Sequence, residues 1–212
     1  NNRTILKLVD IWKRFGRGRI GLKGSDKECD TAVIRDLSME LPGESVNALI
    51  GGNGAGKTTL FNLISRLLEP DHGEIEFAPQ VGVRIDLLKL PPHKVASCGV
   101  GRQFQDTHIF TELSVLDNLL VADSDKRGTG ILEWAYRPKL LARLEKERRV
   151  RAQESLDFVF ANIDDLWAKR DRIAGTLSYG QQRLLGLARL LMGGYKILLL
   201  DEPTTGISPS PV

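Results

Sequence analysis

The chain has 212 residues, of which 42% are hydrophobic and 27% are charged, and its formal net charge is +3. This composition is ordinary for a globular protein with a sizeable core, and the mild charge alone neither favours nor excludes nucleic acid as a partner. The two cysteines, Cys29 and Cys98, form no C-x-x-C pair, which disfavours a disulfide framework or a zinc site and fits a reducing cytosol. No apolar run approaches the roughly 20 residues that a membrane-spanning helix needs.

The first half of the chain is predicted to alternate strands with one helix. A strand is predicted over residues 5–15, and alternating apolar residues predict a half-buried strand over 37–41. Residues 46–50, "VNALI", predict a buried strand that runs directly into "GGNGAGKTTL". Helical spacing follows over residues 57–68, and a turn with a short strand is predicted over 69–77. The apolar face of this predicted helix comprises Leu60, Leu63, Ile64, Leu67 and Leu68.

The second half of the chain is predicted to be mostly helical. Ser114 can cap a helix over residues 115–122 with Asp117 at its third position, and a long helical region covers about 131–160, broken at Pro138. A charged face in that region offers two pairs spaced four residues apart, Glu145–Arg149 and Glu147–Arg151. "KILLLDEP" then predicts a fully buried strand. Strand, glycine loop, helix and later buried strand indicate an α/β fold with a parallel sheet, into which residues 106–175 are inserted.

The strongest chemical signal is a glycine-rich loop between a predicted strand and a predicted helix. Residues 51–58 match G-x-x-x-x-G-K-[ST] in full, the pattern of a phosphate-binding loop. Phosphate oxygens must approach backbone N–H groups closely, which requires small side chains and positive φ angles. Lys57 supplies a charge for the terminal phosphates and the Thr58 hydroxyl can ligate Mg²⁺. The predicted nucleotide-binding residues here are Gly51, Gly52, Asn53, Gly54, Ala55, Gly56, Lys57, Thr58 and Thr59.

Two carboxylates follow the last predicted strand. Residues at the carboxyl end of a buried parallel strand lie where ligands bind in such folds, so Asp201 can hold Mg²⁺ and Glu202 can polarise the attacking water. A surface strand cap is the alternative interpretation, and the phosphate loop makes it the weaker one. By contrast, the G-x-G-x-x-G pattern at residues 16–21 precedes a loop rather than a helix, so we interpret it as a flexible connection. The three histidines show no metal-ligand spacing.

"GGNGAGKTT", "LSYGQQR" and "ILLLDEPTTG", in that order, closely resemble the nucleotide-binding domain of ATP-binding cassette (ABC) proteins over nearly the whole chain. The resemblance implies an α/β fold: a P-loop NTPase core with a parallel sheet, an antiparallel β subdomain and an inserted α-helical subdomain. The implied division is residues 1–105 for the β subdomain and first part of the core, 106–175 for the insertion, and 176–212 for the signature helix and the segments that follow it.

The resemblance also implies roles for residues outside the loop. "RQFQD" is similar to the family's Q-loop, which makes Gln105 a catalytic and metal-binding candidate, and "KRFG" makes Phe15 the adenine-stacking ring. "LSYGQ" is similar to the signature motif, so Ser178, Gly180 and Gln181 are expected to contact ATP held by a second ATPase subunit, identical or different. Residues 206–209, "GISP", stand at the family's dimer-contacting loop. ATP and Mg²⁺ are the implied ligands.

The stretch from residue 90 to 122 resembles ATPases of branched-chain amino acid importers. This implies integral membrane permease subunits as partners, no nucleic acid, and a peripheral position on the cytoplasmic face of the plasma (inner) membrane. ATPases for urea or lipopolysaccharide transport share much of the pattern. Gly52, where the family usually has proline, and the long loop at 16–31 depart from it. The alternatives from other classes are a soluble ABC ATPase acting on ribosomes or DNA, and a nucleotide-binding module that does not hydrolyse.

The family's switch histidine lies in a strand beyond the last residue given. That strand lies between the two strands that carry the phosphate loop and the carboxylates, so we expect the domain to be C-terminally truncated here. Each buried backbone group left unpaired costs on the order of 1–3 kcal/mol against a total stability of about 5–15 kcal/mol. Residues 1–212 alone are therefore expected to be marginally folded and a poor ATPase.

Overall fold

Strand β1 is at the centre of a four-stranded sheet in the first part of the chain. The computed structural model describes residues 3–15, 32–103, 109–125, 137–160 and 166–202, and the chain divides into two units, Asn1–Val100 and Gly101–Val212. The sheet of the first unit has the strand order β2-β1-β3-β4, with antiparallel pairing throughout. Its strands are β1 (Thr4–Arg14), β2 (Ala32–Pro42), β3 (His72–Phe77) and β4 (Ile85–Asp86).

A bulge in β1 explains why its buried residues change parity. Leu6 and Leu8 alternate onto the core face, but the next buried residue is Ile11, three positions later. The pairing with β2 shifts between Leu8 and Ile11, and Asp10 has a φ of 50° there. The backbone N–H of Asp10 donates to Ser38 Oγ at 2.9 Å, which supports the irregular turn. One extra residue thus returns the apolar side chains to the same face of the sheet.

Helix α1 (Lys57–Ile64) is shorter than its sequence pattern predicts. Leu60, Leu63 and Ile64 are buried as expected, but the helix ends at Ile64 and Leu67 is half exposed. Arg66 has a φ of 59°, a left-handed conformation that cannot continue a helix, so the predicted extension to residue 68 is wrong. A 3₁₀ turn (Leu87–Lys89) and helix α2 (Pro92–Cys98) complete the first unit.

The predicted strand over residues 46–50 is also wrong. These residues have no strand assignment, and Val46 and Ile50 are almost fully exposed. A strand is held by hydrogen bonds to a neighbouring strand and by packing on its faces, not by propensity alone. In the described part of the chain no strand pairs with this segment. The apolar run therefore leads into the phosphate loop as exposed chain without regular secondary structure.

Among the residues that the structure describes, the core of the second unit is formed mainly by three helices. These are α3 (Val115–Ala122), α4 (Pro138–Phe160) and α5 (Tyr179–Met192). Ser114 Oγ accepts the Asp117 N–H at 3.0 Å, which confirms the predicted cap of α3. The core side chains recur at helical spacing on each helix and include Val115, Leu119, Ala152, Leu156, Phe160, Leu185, Ala188 and Met192. None of the described helices has both the length and the apolarity that crossing a bilayer requires.

The charged face of α4 is paired differently from the prediction at one position. Arg149 pairs with Glu145 at 2.9 Å, as predicted. Arg151 instead pairs with Asp123 at 2.6 Å, and Glu147 pairs with Arg143. Because Asp123 follows α3, its buried carboxylate attaches the end of that helix to α4, a contact between distant positions that helical spacing alone does not indicate.

Strands β5 (Val100–Gln103) and β6 (Ile197–Leu200) pair with each other in a second, two-stranded sheet. In β6 only Leu199 is buried, and the other three residues are partly exposed. The prediction of a fully buried strand is therefore wrong. The reason is that β5 is the one strand paired with β6 among the described residues, and a central strand needs neighbours on both sides.

Candidate nucleotide-binding site

The phosphate-loop residues lie in the first unit, between the exposed segment 45–50 and α1. Gly54 and Gly56 have φ angles of 80° and 87°, a region that side chains other than glycine rarely adopt. A Cβ atom on Gly56 would also lie 3.1 Å from Val33 Cγ1 and 3.2 Å from the Val33 carbonyl oxygen. Glycine is thus required at Gly56 for two reasons, the backbone angle and the close approach of β2.

Lys57 is the first residue of α1, and its ammonium folds back over the loop. Nζ donates to the carbonyl oxygens of Gly51 at 2.7 Å and of Gly52 at 2.8 Å. An ammonium has three N–H donors, so one remains for a phosphate oxygen in this arrangement. Gly56, the N-cap, has no side chain, so α1 begins without a side-chain acceptor for its first N–H groups. Both features suit an anion. Thr58 is exposed and Thr59 is partly buried.

Phe15, the candidate adenine-stacking ring, directly follows the last residue of β1. Its side chain is 44% exposed, and Lys13 Nζ lies 5.8 Å from the ring centroid. Asp71, which sequence reasoning assigned only to a turn, fixes the backbone just before the ring. Its carboxylate accepts the Arg14 N–H at 2.7 Å and Lys13 Nζ at 3.1 Å. The Arg14 N–H, and then the Lys13 side chain, lower the pKa of Asp71, although partial desolvation opposes them.

The signature segment forms the N-terminus of α5 in the second unit. Ser178 Oγ accepts the Gln181 N–H at 3.3 Å, and Gln181 Oε1 accepts the Ser178 N–H at 3.1 Å, which makes a complete capping box. Gln182 Nε2 donates to the Leu177 carbonyl oxygen at 3.1 Å, so the turn before the helix is held as well. Gly180 is partly exposed in the first turn, next to the exposed ring of Tyr179.

The two carboxylates after β6 are in different environments. Asp201 is 6% exposed, whereas Glu202 is exposed and has a φ of 49°. Arg102 on β5 lies within the electrostatic influence of Asp201: burial lowers the pKa of Arg102, and the Asp201 charge opposes that shift. Arg183 Nη2 donates to the backbone carbonyl oxygen of Glu202. Sequence reasoning missed Arg183, because nothing in the pattern of α5 indicates a contact 19 residues away.

Gln105, the loop at 16–31 and residues 206–209 lie outside the described residues. Of the remaining candidates, Phe15 and the phosphate loop belong to the first unit. Ser178, Gly180, Gln181, Asp201 and Glu202 belong to the second unit. Within the described ranges no three His, Cys, Asp or Glu side chains are grouped closely enough to hold a metal ion by themselves.

Comparison with known proteins identifies the family. The ABC transporter family model matches residues 34–205. The high-affinity branched-chain amino acid transport ATP-binding protein BraF of Pseudomonas aeruginosa is 34% identical over 98% of this chain and 72% of its own length. The LivG protein of Escherichia coli, described in the same terms, is 35% identical over 84% of this chain, and the match covers 66% of LivG.

Solved structures agree. An ATP-binding cassette of an ABC transporter superposes with a TM-score of 0.68 at 29% identity, covering 97% of this chain and 71% of its own. The ADP conformation of the same cassette superposes with a TM-score of 0.67 at 28% identity. The P-loop α/β fold expected from the sequence is confirmed by these neighbours. With four fifths of its residues matched to the family model, and with 34% identity to BraF over nearly all of its length, the chain belongs to the ABC transporter ATPases, for which ATP hydrolysis is the expected activity.

Proposed function

We propose that this chain is the ATP-hydrolysing subunit of a transporter that imports branched-chain or other small amino acids. The ATPase activity in this proposal is supported by the loop at 51–58. There the Lys57 ammonium and the backbone N–H groups at the N-terminus of α1 can bind the same anion. The amino acid substrate rests on BraF and LivG, whose names describe branched-chain amino acid transport. A permease subunit at the cytoplasmic face of the inner membrane is the partner that this function requires.

In the proposed reaction, ATP and water give ADP and phosphate. Lys57 and the loop N–H groups hold the β- and γ-phosphates, and Phe15 stacks on the adenine. The Thr58 hydroxyl and the Asp201 carboxylate are oxygen donors of the kind that Mg²⁺ prefers, and Gln105 is a further candidate ligand. Bound Mg²⁺ would neutralise the charge that develops on the phosphates. The water oxygen attacks the γ-phosphorus as Glu202 accepts a proton from that water, and the bond between the γ-phosphorus and the oxygen that bridges to the β-phosphate breaks, so that ADP is released.

We also propose that two such subunits enclose the nucleotides. Ser178 and Gly180 at the N-terminus of α5 would contact the γ-phosphate of ATP on the other subunit, with Gln181 beside them. Small, partly exposed residues at a helix N-terminus permit that close approach, and the helix dipole favours the anion. The division into residues 1–105, 106–175 and 176–212 remains our proposal for the subdomains.

The test is phosphate release by the full-length protein with Glu202→Gln. An amide cannot accept the proton, so turnover should fall on the order of 100-fold or more while ATP binding is retained. Glu145→Gln, an equivalent change on the exposed face of α4, is the control and should leave turnover unchanged. Co-purification with a membrane permease, and ATP-dependent uptake of leucine rather than urea into vesicles containing the complex, would test the transport assignment. Wild-type hydrolysis by Glu202→Gln would exclude Glu202 as the base.

A further inference from the structure

The side chain of Arg183 is a buried cation that the proposed reaction does not use. It lies in the second turn of α5, and only 4% of the residue is exposed. Burying a guanidinium is costly unless its N–H groups are hydrogen-bonded, so its position must be explained by what it binds. Its Nη2 donates to the backbone carbonyl oxygen of Glu202, the residue proposed as the base. A charged donor makes this a strong hydrogen bond.

Glu202 has a backbone conformation that requires such support. Its φ of 49° is in the left-handed region, which residues with a Cβ atom rarely adopt. Strained residues persist where the surroundings over-determine their conformation, and they concentrate at functional sites. Asp201, immediately before it, is buried, so the chain is anchored on one side of Glu202 by burial and at its carbonyl by Arg183.

We propose that Arg183 is a positioning residue for Glu202, holding its backbone carbonyl so that the carboxylate keeps the place from which it activates water. This inference rests on the proposed function, because it takes Glu202 as the base. Through Arg183, helix α5 also links Glu202 to Ser178, two residues that would act on different ATP molecules. Ser178 caps the same helix about 7 Å along its axis from Arg183. In the proposed dimer, that helix end contacts the partner's ATP, whereas Glu202 acts on the subunit's own ATP.

The test is Arg183→Met in the full-length protein. Methionine keeps the apolar stem and removes the donor, so kcat should fall by about 100-fold, as expected when a catalytic group is misplaced. The KM for ATP should stay within about twofold, because the phosphate loop is intact. The ATP-bound dimer should accumulate in size-exclusion chromatography, as it should for Glu202→Gln. Arg183→Lys keeps a charge and a donor, and should recover part of kcat.

The matched control is Arg148→Met. Arg148, in the same unit, also donates to a backbone carbonyl oxygen, that of Asp125 at 2.8 Å, and it pairs with Asp123 at 3.3 Å. This variant should lose comparable thermal stability without a change in kcat per folded subunit. If Arg183→Met fails to fold, the Arg183→Lys variant is measured instead. Its kcat should be about tenfold lower than that of the wild type while its melting temperature is unchanged.

A double-mutant comparison separates the inference from the function on which it rests. If Arg183 acts through Glu202, then Arg183→Met should cause no further loss in the Glu202→Gln background, measured by single-turnover hydrolysis. A normal kcat in Arg183→Met, or a further full loss in the double variant, would overturn the positioning role even when Glu202→Gln is inactive. Wild-type turnover in Glu202→Gln would instead show that the proposed base is wrong, and the inference would fall with it.

Discussion

Lys57 is the residue on which nucleotide affinity should depend most directly. In Lys57→Ala the loop loses its only full charge at the terminal phosphates, and charge-assisted hydrogen bonds contribute up to about 3 kcal/mol. The Kd for MgATP in the full-length protein should therefore rise by about 100-fold or more, as measured with a fluorescent ATP analogue. Lys89→Ala removes an exposed lysine that pairs with Asp86 and should leave the Kd unchanged. Equal affinity in both variants would refute the assignment of the phosphate loop.

Asp71 should give the protein a contribution to stability that depends on pH. Its pKa is lowered in the folded chain, mainly by the Arg14 N–H, so the ionised carboxylate favours folding. That contribution is present above the unfolded pKa of about 3.9 and is lost as the pH falls through the lower folded value. Asp71→Asn should thus have a lower melting temperature than the wild type at pH 7. The difference in melting temperature between the two proteins should become smaller below about pH 4. A gap that persists at acid pH would mean that packing, not charge, is responsible.

At the scale of the elements, Asn118 fixes how the chain enters α3. Its side chain is fully buried; Oδ1 accepts the Phe110 N–H at 2.8 Å, and Nδ2 donates to the carbonyl oxygens of Phe110 and Ser114 at 2.9 Å each. Asn118→Ala leaves buried backbone groups without these partners, at about 1–3 kcal/mol for each group. Because more than one such group loses its partner, we expect the free energy of unfolding, measured with urea, to fall by about 2–4 kcal/mol. Asn62→Ala, on the partly buried face of α1, should cost less.

Contacts within a few residues could be predicted from the sequence, and distant ones could not. The caps of α3 and α5 by Ser114 and Ser178 depend on hydrogen bonds that span three residues, so the local pattern contains both partners. The hydrogen bond from the Arg14 N–H to the Asp71 carboxylate joins residues 57 positions apart, and the bond from Arg183 to Glu202 joins residues 19 positions apart. Nothing local indicates either bond. The strand predicted at 46–50 fails for the same reason, because pairing is not a property of one segment.

At the scale of the whole molecule, the assembly of two subunits should depend on the first turn of α5. Gly180→Asp would set a carboxylate against the γ-phosphate of the partner's ATP across a desolvated gap, and like charges at short range repel strongly. ATP binding by the monomer should persist while the ATP-dependent dimer and hydrolysis are lost, as seen by size-exclusion chromatography. Gly186→Asp is the matched control, because a Cβ there meets no atom within 4 Å. An ATP-driven dimer of Gly180→Asp would show that the signature helix does not face the nucleotide.

The order of motifs was enough to predict the family, whereas the form of the sheets was not. The matched region, residues 34–205, contains the loop, the signature and the carboxylates in the predicted order, and these depend on short stretches of sequence. By contrast, the partial burial of β6 reflects which strands lie beside it, and "ILLL" alone cannot report that. Motif chemistry is thus local in this chain, and sheet architecture is collective.

In the capping box of α5, the oxygen atom that caps the helix is also the one proposed to meet a phosphate. Because Ser178 Oγ already accepts the Gln181 N–H, its hydroxyl hydrogen is directed elsewhere and is polarised into a stronger donor. Any group that Ser178 meets through that hydrogen must be an acceptor, as a phosphate oxygen is. Under the proposed function, the cap of the helix and the contact with phosphate therefore depend on one oxygen atom. Ser178→Ala would weaken both the helix cap and the proposed phosphate contact. Helix stability and phosphate affinity therefore cannot be changed independently at this position.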